Sequence, residues 1–167
     1  MPNFPLTLIG RTALVTALLA AGAASADPPH ARGREFRDWR IDCAVGPCAI
    51  RTSLRAADGS ELVTVDVVGR GDGAGLALRT PLPLLLPDGA TLVIGDDPPR
   101  ALAWRTCGVA GCVAEAPLDP SLLAALKRER SATVMLTLED GVRVRLPVSL
   151  LGFTAAREAL DAAPVSP

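Results

Sequence analysis

Two short segments fix what this chain can fold into: Cys43-Ala44-Val45-Gly46-Pro47-Cys48 and Cys107-Gly108-Val109-Ala110-Gly111-Cys112. Both have four residues between their cysteines, both carry glycine, and together they hold every cysteine in the chain. Three chemistries use such pairs. A zinc site takes four thiolates at similar spacing. A redox pair usually places two residues between its cysteines and opens a helix. Two structural disulfides need a compartment in which thiols are oxidised.

The N-terminus decides among them. Arg11 precedes an uncharged apolar run, Thr12 to Ala23, and Ala24-Ser25-Ala26 has the small-x-small form of a cleavage site. The run is shorter than the roughly 20 residues of a bilayer span. Residues 1–26 therefore read as a signal peptide, and no stable transmembrane segment is expected after processing. Export favours disulfides, and facing positions near a hairpin turn are close enough to be bridged. The expected bonds are Cys43–Cys48 and Cys107–Cys112, against two crossed pairings. Each would close a small ring worth about 2 kcal/mol in the loop-entropy model.

After a flexible lead-in, 27–35, the chain alternates apolar and polar residues as half-buried strands do. Trp39, Ile41 and Cys43 share one face. Asp58-Gly59 separates two strand-like runs. A two-residue loop there sets Leu54 opposite Val63, Thr52 opposite Val65 and Ile50 opposite Val67. Near the C-terminus, a three-residue loop Glu139-Asp140-Gly141 sets Leu138 opposite Val142, Leu136 opposite Val144 and Val134 opposite Leu146. Gly141 would supply the left-handed position of a bulged turn. Asp119 and Pro120 open one helix as N-cap and first residue; Thr154 to Ala162 forms a second. The reading is all-β and β-sandwich-like, a single disulfide-stapled domain over 36–162 with two short helices and a disordered tail, 163–167. The expected core includes Trp39, Ile41, Ile50, Leu54, Val63, Val65, Val67, Leu92, Ile94, Val134, Leu136, Leu138, Val142, Val144, Leu146 and Phe153.

Composition narrows the function. The formal charge is -1, and only Lys127 of 17 basic residues is lysine. No basic cluster suggests nucleic acid. His30, the single histidine, falls in the lead-in. Ser149 therefore lacks a histidine partner, and its surroundings do not spell a nucleophile elbow; its hydroxyl is expected to satisfy backbone where strand passes to helix. Asp96-Asp97 and Glu139-Asp140 read as turn chemistry. No catalytic set, metal site or cofactor is expected. Two loops could contact a partner: Arg70-Gly71-Asp72 within the glycine-rich turn 69–75, and Leu84 and Leu85 within the proline-leucine run 81–89.

From Trp39 to Leu160 the chain resembles the invasion-associated locus B family of Gram-negative bacteria. The resemblance rests on Trp39 with Cys43 and Cys48, on Leu86-Pro87-Asp88-Gly89, on Cys107-x-x-x-Gly111-Cys112, and on Pro147-Val148-Ser149-Leu150-Leu151-Gly152-Phe153 before an alanine-rich helix. Arg51 stands where members often carry glutamine. The resemblance implies an exported, mainly β protein, periplasmic, secreted or surface-associated, without catalytic residues. Its partner would be an envelope or host protein or glycan. The alternatives are a periplasmic hydrolase and a thiol or zinc protein.

Overall fold

The computed structural model describes residues 33–43, 47–69, 73–81 and 83–163. The expected signal peptide, residues 1–26, as well as His30, Arg70-Gly71-Asp72 and the last four residues lie outside them.

Among the described residues, ten strands form one antiparallel sheet: β1 (Glu35–Phe36), β2 (Trp39–Asp42), β3 (Ala49–Arg55), β4 (Glu61–Val68), β5 (Gly75–Thr80), β6 (Ala90–Ile94), β7 (Arg100–Gly108), β8 (Gly111–Pro117), β9 (Ser131–Thr137) and β10 (Arg143–Ser149). Two α-helices accompany them among the described residues, α1 (Pro120–Arg128) and α2 (Phe153–Ala162). The strand order is β1-β2-β3-β4-β5-β8-β7-β6-β9-β10. The sheet curls until β10 packs beside β3. The expected sandwich-like layers are thus two halves of one sheet around a shared core. Trp39, Ile50, Val67, Leu78, Leu92, Val134, Leu122 and Leu160 are all buried in it.

The predicted hairpin registers form. Ile50, Thr52 and Leu54 face Val67, Val65 and Val63. Leu136 and Val134 face Val144 and Leu146. The Glu139-Asp140-Gly141 loop closes with Leu138 N–H donating to Val142 O at 2.9 Å, and Gly141 has φ +86°. The other hairpin uses the same turn, not the expected two-residue one. Its loop is Ala57-Asp58-Gly59, with Ala56 N–H donating to Ser60 O at 2.9 Å and Gly59 at φ +86°. A one-residue register shift beyond Leu54 leaves Leu62 as the extra residue and keeps the strand bodies aligned. Asp58 and Asp140 each accept the backbone N–H two residues on, which favours this longer turn.

Val142 departs from the expected core: it is 52% exposed, because the turn lifts it past the edge of the sheet. Leu54, Leu138, Val144 and Leu146 are half-buried. Asp119 caps α1 by accepting from Leu122 N–H at 2.8 Å. Trp39 donates its indole N–H to Ser149 O at 3.0 Å and meets Phe153 edge-on at 5.1 Å, joining the start of the domain to its end.

Candidate binding face at the turn end of the sheet

Because all neighbours are antiparallel, the connections sort to two ends. One end, here the helix end, receives the β2–β3, β4–β5 and β6–β7 connections and both helices. The other, the turn end, receives the β3–β4, β7–β8 and β9–β10 turns and the segment joining β5 to β6.

Both predicted disulfides form, one at each end. Cys43–Cys48 closes the β2–β3 connection with Cα atoms 4.1 Å apart. Cys107–Cys112 bridges facing residues of β7 and β8 with Cα atoms 4.0 Å apart. All four sulfurs are bonded, which leaves no thiolate to ligate zinc. Gly111 has a packing reason: with φ +108°, a Cβ there would sit 2.3 Å from Thr80 O.

The two predicted contact loops separate. Gly69 and Gly73, which flank Arg70-Gly71-Asp72, lie at the helix end. Arg157 of α2, almost wholly buried, donates from Nη1 to Gly69 O at 2.9 Å. Leu84 and Leu85 lie at the turn end. Leu84 bridges to Leu138 and is half-buried against the core, while Leu85 donates its N–H to Thr137 O at 2.9 Å and leaves its side chain exposed. Leu86 and Val142 are exposed beside them, and Val109 stands fully exposed at the β7–β8 tip. Four apolar side chains thus project from one end of the sheet.

The outward face of β3–β4–β5 carries a charge cluster. Asp66 points away from the core yet is wholly buried, because two arginines cover it. Arg51 Nε reaches its Oδ1 at 2.6 Å, and Arg79 Nε lies 3.0 Å from its Oδ2. Arg51 also bonds Asp42 at 2.6 Å. The hydrogen bond to Asp66, ahead of the surrounding acidic charges, raises the Arg51 pKa further above its ordinary value. Next to the cluster is an open cleft of about 290 Å³, lined by Arg51, Arg79, Glu61, Thr64, Thr80 and Pro81 among others. Residue-by-residue reading missed this group. The signal was present: the register that pairs Ile50 with Val67 also puts Arg51 opposite Asp66.

Ser149 lies in a second cleft, where β3 meets β10. Its hydroxyl donates to Asp38 at 2.5 Å and accepts Leu151 N–H at 3.2 Å. This is the expected backbone role, reinforced by one carboxylate. The described residues contain no histidine. Among them no group of three or more potential metal ligands converges. No helix among the described residues is long and apolar enough to cross a membrane.

Comparison with known proteins agrees with this architecture. An invasion protein B homolog of Brucella abortus (strain 2308) is 30% identical, over 92% of this chain and 95% of its own. A second homolog, from Brucella abortus biovar 1 (strain 9-941), matches to the same extent. The crystal structure of invasion associated protein B from Bartonella henselae superposes with a TM-score of 0.71 at 23% identity. It covers 78% of this chain and 96% of the other, a likeness of fold. The family model for the invasion associated locus B protein matches residues 38–161, and the chain belongs to that family.

Proposed function

We propose that the protein is exported, with cleavage after Ala26, to the periplasm or the cell surface. It works there without catalysis by holding an envelope or host protein or glycan. The observation that carries this reading is that every cysteine is in a disulfide, in a member of an invasion-associated family. Such bonds persist where thiols are oxidised. The turn end supports partner binding. Leu85, Leu86, Val109 and Val142 present apolar surface on tight turns, as contact loops on a rigid sheet do. A contribution to host-cell contact belongs to the same reading, on the names its relatives carry.

Two measurements test it. Intact mass of the protein from its own cells, alkylated without reduction, should begin at Asp27 and show no alkylated cysteine. A full-length chain with four alkylated cysteines would withdraw export. Capture of partners by the mature protein should then be lost on the paired change Leu85→Asp with Leu86→Asp, with stability altered by no more than about 0.5 kcal/mol. Undiminished capture would move the contact away from the turn end. A hydrolase would require turnover of an ester, glycoside or peptide that Ser149→Ala abolishes.

A further inference from the structure

Asp66 is an unusual carboxylate. It occupies the middle of β4 on the outward row, is fully buried, and holds the side-on Nε of two arginines. Its Oδ2 has the charge of Arg79 nearby but no aligned hydrogen bond among the described residues. A surface strand gains little stability from burying a charge this way, since desolvation offsets most of the attraction. What the arrangement does achieve is position. With Nε turned to Asp66 and Arg51 Nη1 on Asp42, Arg51 Nη2 and both Nη groups of Arg79 keep no acceptor among the described residues. Both side chains line the cleft.

We propose that this cleft binds a carboxylated sugar unit of an acidic polysaccharide. The proposal rests on the partner-binding reading and names the ligand class. The free guanidinium edges offer the paired donors that a carboxylate accepts. The other walls choose among carboxylates and related anions. Glu61, which is paired with Arg55, can still accept hydrogen bonds from sugar hydroxyls, which a bare inorganic oxyanion does not offer. Thr64 and Thr80 also line the cleft, with hydroxyls held by Ser53 and Glu61 and by Leu62 O, and Pro81 gives a sugar ring an apolar surface. At about 290 Å³ the cleft is at the small end of ligand sites, about 300 Å³. That is room for one sugar residue of a longer chain, with the ends free to leave through the open sides.

The test is titration of the oxidised mature protein with trigalacturonate, maltotriose, sodium phosphate and triglutamate, read by calorimetry and by amide shifts. Trigalacturonate should bind saturably, with amide shifts at Thr64 and Arg79, and weaken as salt rises. Arg79→Gln should weaken it about tenfold or more, since bonds to charged groups are the strong ones. Arg79→Lys should lie between, because a point charge cannot reproduce the fork. Arg105→Gln, on a different ion pair with Glu115, should bind as the parent does. Arg79 covers the buried Asp66, so Arg79→Gln should cost some stability; Arg79→Lys keeps the charge, and unchanged amide spectra elsewhere establish that the fold is kept. Equal binding of maltotriose, equal binding of phosphate, preference for triglutamate through Arg79, or no binding at all would each overturn the proposal. None of these outcomes touches the mass of the exported chain or capture through Leu85 and Leu86, so the two readings fail separately.

Discussion

The two ends of the sheet each carry one C-x4-C hairpin and are otherwise unlike. At the helix end, Cys43 and Cys48 pack against the core. Gly152, which opens α2, meets the β1–β2 turn so closely that a Cβ would lie 1.8 Å from Phe36 O, and Asp38 N–H donates to Leu151 O at 3.2 Å. Trp39, Phe153 and the buried Arg157 fasten α2 to the strands. At the turn end, Cys107 is exposed, and Gly59 and Gly141 have open space where a Cβ would go. The same local device, a stapled hairpin, thus serves two purposes. One end locks the termini of the domain together; the other presents side chains to solvent on turns that cannot easily change shape.

This contrast can be broken by substitution. Gly152→Ala should have the largest effect, about 3 kcal/mol or more in urea unfolding, since it combines a left-handed φ of +93° with a collision against backbone. A loss under about 1 kcal/mol would mean that the β1–β2 turn moves aside and that α2 is not locked to the strands. Removing either disulfide, as Cys43→Ala with Cys48→Ala or as Cys107→Ala with Cys112→Ala, should cost about 2 kcal/mol for so small a ring. If only the helix-end pair mattered, the turn end would already be held by its backbone alone. Gly141→Ala should cost about 1 kcal/mol, the left-handed penalty without a clash. A cost equal to that of Gly152→Ala would erase the distinction between the ends.

The mildest test uses pH. Asp119, the cap of α1, has its pKa lowered to about 2, first by the Leu122 N–H, then by the Ser121 hydroxyl, with Arg100 assisting. Its folded value lies below the ordinary 3.8, so the stability it adds is complete above about pH 4 and disappears as pH falls through 2. Asp119→Asn keeps a capping oxygen but should flatten that part of the acid limb. At the turn end, Asp58 is lowered as well, chiefly by the Ser60 hydroxyl. Asp58→Asn compared with Asp119→Asn asks which end yields first to acid, and an unchanged acid limb in the Asp119 variant would remove the cap from the account.

Local features of this fold were legible in the sequence. Alternating β-branched residues around Gly59 and Gly141 set two registers, because a one-residue slip would have turned the valines to solvent. Asp119-Pro120 announced α1, and both cysteine pairs announced their hairpins. Less legible was what depends on distant neighbours. Leu76 and Leu78 are buried, but so short a strand shows its importance only between β4 and β8. The placement of β8 between β5 and β7 leaves no local mark. Asp66 looks like an ordinary polar interruption of a valine strand until Arg51 and Arg79 are set beside it. Of the contact residues expected from sequence, Leu85 gained a setting, Leu84 joined the core margin, and Arg70-Gly71-Asp72 lie outside the described residues.

The spacing of the cysteines also bears on how the chain is made. Each cysteine is bonded to its nearest neighbour in sequence, five positions away. On the proposed export, an oxidase that meets the chain N-terminus first encounters Cys43 and Cys48 before Cys107 arrives as a competitor, and joins the second pair in the same way. Oxidation in order of appearance therefore gives the native pairing directly. Such a protein should mature at the same rate in cells with or without a disulfide isomerase, and should depend only on the supply of oxidant.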